Sequence, residues 1–148
     1  MLKYNYHNFL TFFTQFIKVQ YIIEILIKKE REMYMPFIDS KVTVSLSENQ
    51  KESLKDELGK IIDEIPGKSQ KFLMLGFQDN FPLYFKGEKL EYGAYIEVKL
   101  FGRATEDSLN RATREICDLY KEELNIPPKS IYVKFEEVDN WGWNGANF

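Results

Sequence analysis

Cysteine and histidine are nearly missing from this sequence, with one of each in 148 residues. A lone Cys117 cannot form an internal disulfide, so nothing ties the fold to an oxidising compartment. It lies at the fringe of an apolar helical stripe, where a partly buried structural thiol is expected. The single histidine, His7, has no Cys, Asp or Glu at ligand spacing, so no metal site is expected. No glycine-rich phosphate loop, dinucleotide fingerprint or nucleophile elbow occurs, and neither nucleotide cofactors nor acyl chemistry is indicated. Basic excess is lacking too: the formal net charge is −3, and phosphate-backbone binding needs the opposite sign. Nucleic acid is excluded as a partner on that ground.

Glycine and proline number eight and five, and none of them precedes Pro36. The first thirty-four residues are instead dominated by Tyr, Phe, Ile, Asn and Lys. The apolar run there is broken by Gln15, Lys18, Gln20 and Glu24, short of the roughly 20 predominantly apolar residues of a membrane span. No transmembrane span is expected, and no small-residue cleavage site marks a signal peptide. Three readings stay open for residues 1–34: upstream sequence translated from a misplaced start, an amphipathic helix for an interface or membrane surface, or a degenerate anchor. The segment is set apart as an extension absent from the mature protein, and the domain proper is residues 36–148.

What is present is 44% hydrophobic, 16% aromatic and 29% charged residues, a composition that folds as one soluble domain with a substantial core. From Pro36 on the pattern is regular. "FIDSKVTVSL" alternates as a strand, and Ser47 is placed to cap a helix in which Leu54, Leu58, Ile61, Ile62 and Ile65 form one apolar stripe. "PGK" stops that helix. "QKFLMLGF" then reads as a strand buried on both sides. The plan repeats: "AYIEVKLFGR" alternates, Ser108 can cap, Leu109, Ala112, Ile116, Leu119 and Tyr120 make a second stripe, and "NIPPKSIYVKFEEV" closes that helix and opens a strand. "IPGKS" at Ile65 and "IPPKS" at Ile126 are offset by 126 − 65 = 61 residues, the same offset that relates Ser47 to Ser108 and Leu58 to Leu119. Two strand-helix-strand units predict an α+β fold, one mixed four-stranded sheet with both helices on one face. The opposite face, taken as apolar, is expected to need a partner.

Chemistry concentrates at three places. As an internal residue Pro36 merely begins an edge strand. As an N-terminus, after loss of Met35, it is a free secondary amine, and burial beside a cation lowers its pKa toward that of a general base near neutrality. Lys68, after the first helix stop, either helps the helix C-terminus from solvent or holds a carboxylate. "DNWGWNGANF" places Trp141 and Trp143 either in a core or subunit contact or along an aromatic ligand site.

These motifs converge. "MPFI" opening the first strand, "GK" after the first helix, "IYVKF" after the second and the terminal "WGWNGANF" resemble the macrophage migration inhibitory factor (MIF) family of tautomerases, over Met35 to Phe148. The resemblance implies a homotrimer with its sheets wrapped inward and a cofactor-free isomerase acting on phenylpyruvate-type α-keto acids and dopachrome derivatives. It implies Pro36 as the catalytic base, Lys68 binding the substrate carboxylate, Tyr132 supplied by a neighbouring subunit, and Trp143 and Phe148 as aromatic pocket walls. Phe101 stands where a smaller residue is usual and is expected to narrow the pocket. Lys134 replaces a pocket asparagine and adds a second cation, expected beside Pro36. The family's CxxC pair is absent, with Gly93 and Ile96 at the matching positions, so thiol-disulfide exchange is not expected. The family further implies an alternative role as a cytokine-like ligand of a cell-surface receptor, and a cytoplasmic protein exported without a signal peptide. With residues 1–34 retained, the proline nitrogen is acylated and the protein is silent.

Overall fold

A computed structural model of the chain describes residues 6–33 and 35–147. The chain divides into two units, Met1–Glu32 and Met33–Phe148. Among the described residues the first carries one helix, α1 (Tyr6–Met33), of 28 residues, about 42 Å long at 1.5 Å per residue. Its stretch Leu10–Ile27 has a mean hydropathy of 1.4 and is exposed throughout. By length and composition that stretch passes for a membrane span, with Lys18 and Glu24 interrupting it.

The second unit carries a complete sheet and core. Its order is β1 (Pro36–Val42), α2 (Glu48–Asp63), β2 (Met74–Gln78), a hairpin of β3 (Tyr84–Phe85) and β4 (Glu88–Lys89), β5 (Ala94–Phe101), α3 (Glu106–Leu124), β6 (Ile131–Val138) and a hairpin of β7 (Gly142–Trp143) and β8 (Ala146–Asn147). The main sheet runs β2-β1-β5-β6, parallel at β1/β2 and β5/β6 and antiparallel between β1 and β5. This is the α+β arrangement of two βαβ units that the repeat predicts.

Alternation along the strands sends Ile38, Val42, Ile96, Val98 and Leu100 to one face. There they share a core with Leu54, Leu58, Ile61 and Ile62 of α2 and Ala112, Ile116, Leu119 and Tyr120 of α3. Both helical stripes are buried as their spacing requires. Ser47 caps α2 through a reciprocal box, accepting from the Gln50 N–H at 3.2 Å while Gln50 Oε1 accepts the Ser47 N–H at 3.0 Å. Ser108 is not the cap of α3. Thr105 is extended and accepts from the Ser108 N–H, which begins the helix three residues earlier and leaves Ser108 buried in its first turn.

Two further expectations are corrected. "QKFLMLGF" is not a strand buried on both sides: Gln70–Phe72 is a 3-10 turn, and the five-residue β2 is the sheet edge, with Met74 69% exposed. The face opposite the helices is not apolar either. Register places Gly76, Asp39, Glu97 and Lys134 in one row across it, and Gln78, Lys41, Tyr95 and Tyr132 in the next. Lys41 Nζ lies 2.6 Å from Asp39 Oδ2 and 3.8 Å from Glu97 Oε2, and Lys134 Nζ lies 3.5 Å from Glu97 Oε1. Burial opposes the charge on Asp39, but hydrogen bonds from Lys41 and Gln78 outweigh it and hold the carboxyl below its ordinary pKa. The Tyr95 hydroxyl does the same for Glu97, aided by Lys41 and Lys134. Alternating opposite charges let this face remain wet.

Candidate active site

β1 is an interior strand, not an edge. It tolerates Pro36 because the first residue of a strand can lack an N–H donor. Pro36 pairs with Leu100 near the end of β5 and is buried. Met35 before it is 4% exposed, and its carbonyl accepts the Phe101 N–H at 3.1 Å. The Phe101 carbonyl in turn accepts from Lys68 Nζ at 2.5 Å. Lys68 reaches this corner because the turn after α2 closes on its backbone, whose N–H donates to the Ile65 carbonyl at 3.0 Å.

Lys68 is 7% exposed, not a solvated residue at a helix end. Burial pushes its ammonium below the ordinary lysine pKa, and Glu137 opposes that push. Gly102 has φ +76, and a Cβ there would lie 3.7 Å from Lys68 Nζ. A glycine is suited to this position by the left-handed backbone, and a Cβ there would only reach ordinary contact with the ammonium.

Pro36 also opens onto a cleft of about 620 Å³ lined by Met35, Phe37, Lys71, Phe72, Leu73, Met74, Trp141, Gly142 and Trp143. The wall comes from the β7–β8 hairpin, whose Asn144-Gly145 corner has φ +50 and +80, as a two-residue primed turn demands. Trp143 meets Phe72 edge to face, with centroids 6.2 Å apart and planes at 78°. Lys71 Nζ stands 5.4 Å from the Phe72 ring centroid. The cleft therefore offers aromatic contact, and at the same end of the sheet the buried Lys68 ammonium reaches the Phe101 carbonyl.

Pro36, Lys68, Phe101 and Trp143 thus share one end of the sheet, although Lys68 and Phe101 do not line the cleft itself. Phe101 contributes its backbone N–H and carbonyl to the corner, and its side chain is buried. Tyr132 and Lys134 are elsewhere within one chain. Lys134 pairs with Glu97, three positions along β5 from Leu100, and Tyr132 pairs with Tyr95, five positions away, separations of about 10 and 17 Å along the strand. Tyr132 is 57% exposed, its ring edge-on to Phe85 at 5.6 Å. Phe148 lies outside the described residues, and so does the side chain of His7. Among the described residues no cluster of three potential metal ligands occurs. Phe72, Lys71 and Met74 escaped sequence reasoning because "QKFLM" reads as strand; its 3-10 turn is signalled by Ser69, which accepts from the Lys71 N–H.

Comparison with known proteins gives a consistent picture. A family model described as tautomerase enzyme matches residues 95–146. The crystal structure of the MIF2 protein of Leishmania major is 33% identical, covering 78% of this chain and 98% of that one, with a TM-score of 0.72. The MIF homologue of Prochlorococcus marinus is 28% identical over 76% of this chain and 98% of its own, with a TM-score of 0.64. Among curated proteins, the macrophage migration inhibitory factor of Xenopus laevis is 23% identical over 99 residues, 66% of this chain and 85% of that one.

Proposed function

Since the chain belongs to the macrophage migration inhibitory factor family of tautomerases, we propose that it is a cofactor-free keto-enol tautomerase of phenylpyruvate-type α-keto acids, with Pro36 as base once residues 1–35 are gone. The observation that carries this reading is the buried Met35–Pro36 junction, which lines an aromatic-walled cleft and is hydrogen-bonded to Phe101, the residue whose carbonyl holds Lys68. With Met35 attached, the proline nitrogen is a tertiary amide without a basic lone pair. Loss of Met35 leaves a secondary amine in its place.

The chemistry follows from that change. A free α-amino group titrates near 7.7 to 8.0, and burial and a neighbouring ammonium both lower that value. The neutral amine takes a proton from the carbon beside the keto group, and the ammonium so formed delivers it to the oxygen of the enolate to give the enol; the reverse transfer regenerates the ketone. Lys68 binds the substrate carboxylate, and the ring of the substrate packs against the Phe72–Trp143 pair. In this proposal the protein is a homotrimer in which a neighbouring subunit brings Tyr132 and Lys134 to the cleft. The unpaired edges of β2 and β6 and the exposed Tyr132 and Met74 support that assembly.

The mass of the intact protein from its native cells tests the reading. A chain beginning at Pro36 is the expected result. A mass that includes Met1 removes the catalytic amine, overturns the enzymatic reading and turns the search to binding.

A further inference from the structure

Glu137 lies outside the cleft, yet the geometry ties it to Lys68. The turn between β5 and α3, residues 101–104, is held at four points. The Phe101 N–H donates to the Met35 carbonyl, the Phe101 carbonyl accepts from Lys68 Nζ, the Gly102 N–H donates to the Val138 carbonyl at 3.0 Å, and the Ala104 N–H donates to Glu137 Oε1 at 2.8 Å. The last two fasten the turn to the end of β6. Lys68 Nζ lies against the same turn, 3.7 Å from where a Gly102 Cβ would stand.

Charge runs along with the hydrogen bonds. Arg103 Nε is 3.7 Å from Glu137 Oε2, and an Arg103 guanidinium nitrogen is 2.8 Å from Asp139 Oδ1. An ammonium as buried as Lys68 is costly without a counter-charge. Glu137 is the carboxylate whose field acts on it, against the effect of burial.

We propose that Glu137 is a positioning residue for Lys68: it pins the 101–104 turn to β6, so that the Phe101 carbonyl aims the ammonium, and it supplies the counter-charge. A merely structural Glu137 would serve only as acceptor for the Ala104 N–H ahead of α3. Glu137→Gln separates the two roles, because the amide oxygen keeps the acceptor and drops the charge. This inference rests on the tautomerase reading only for its effect on turnover.

The test is NMR titration of the Lys68 side chain in the full chain, where the Pro36 nitrogen is a tertiary amide and does not titrate. Glu137 is the charged group that acts on Lys68 there, and Glu137 is itself paired with Arg103, which pairs in turn with Asp139. Glu137→Gln is expected to lower the Lys68 midpoint, with Glu137→Asp intermediate. An unchanged midpoint in a folded Glu137→Gln protein overturns the proposal, as does an Asp variant that behaves like Gln. In protein beginning at Pro36, Glu137→Gln is expected to raise the KM for phenylpyruvate severalfold, more at pH 9 than at pH 7, with kcat nearly unchanged. A shifted midpoint with unaltered KM supports the hold of Glu137 on Lys68 and contradicts instead the assignment of Lys68 to the substrate carboxylate.

Discussion

Removing one oxygen from the core tests how α3 is fastened to the strand that carries Pro36. Ser40 Oγ and the Tyr120 hydroxyl are 2.6 Å apart, and both residues are fully buried. Burial holds the Tyr120 phenol far above its ordinary pKa, so it stays protonated and available to this bond at any ordinary working pH. Tyr120→Phe deletes one partner and strands the Ser40 hydroxyl away from water. Leaving a buried polar group unpaired costs about 1–3 kcal/mol, whereas the net worth of a hydrogen bond is about 1 kcal/mol. The single change is therefore expected to cost about 2 kcal/mol, and Ser40→Ala, which strands the phenol, a similar amount. The double variant strands nothing and is expected within about 1 kcal/mol of the parent, a coupling at the upper end of what contacting residues show. Urea unfolding followed by tryptophan fluorescence and by circular dichroism gives all four corners of the cycle. Additive single effects, or singles costing less than about 0.5 kcal/mol, would refute the reasoning.

Three other outcomes follow from the site and the sheet. Phe72→Ala, in protein beginning at Pro36, is expected to raise the KM for phenylpyruvate about tenfold and to change that for a non-aromatic α-keto acid much less; equal effects on both would remove Phe72 from the aromatic wall. Gly102→Ala forces a side chain into φ +76 and should cost about 1 kcal/mol in unfolding free energy, read from urea unfolding. The Asp39 and Glu97 carboxyls have folded pKa values below their unfolded ones, so their stabilisation is complete above the unfolded values and is lost as pH falls through the folded ones. The urea midpoint should accordingly fall below about pH 4, and Lys41→Met should blunt that acid sensitivity.

Much of this architecture is legible in the chain because its signals are local. The stripes Leu54–Leu58–Ile61–Ile62 and Ala112–Ile116–Leu119–Tyr120 have only one way to be buried, and the Ser47 box is complete within four residues. Where reading fails, the deciding interaction is distant or the repeat misleads. The 61-residue offset points to Ser108, but Thr105 is free to accept one turn earlier and the helix starts there. An apolar run such as "FLMLGF" cannot say whether its strand is central or at an edge, since that depends on the order β2-β1-β5-β6. The open face looks apolar only from β2, while the charges that wet it come from β1, β5 and β6. Lys68 is the same kind of case: its local context suggests a solvated helix end, and only the approach of the Phe101 carbonyl, 33 residues on, buries it.

Turnover by two proteins that differ only at the N-terminus bears most directly on the central claim, that the Pro36 nitrogen is the base. One begins at Pro36 and the other retains Met35. Enol-keto conversion of phenylpyruvate is predicted for the first, with a loss of at least about 100-fold in the second, the smallest effect expected when a general base is removed. Equal rates from the two would contradict the account.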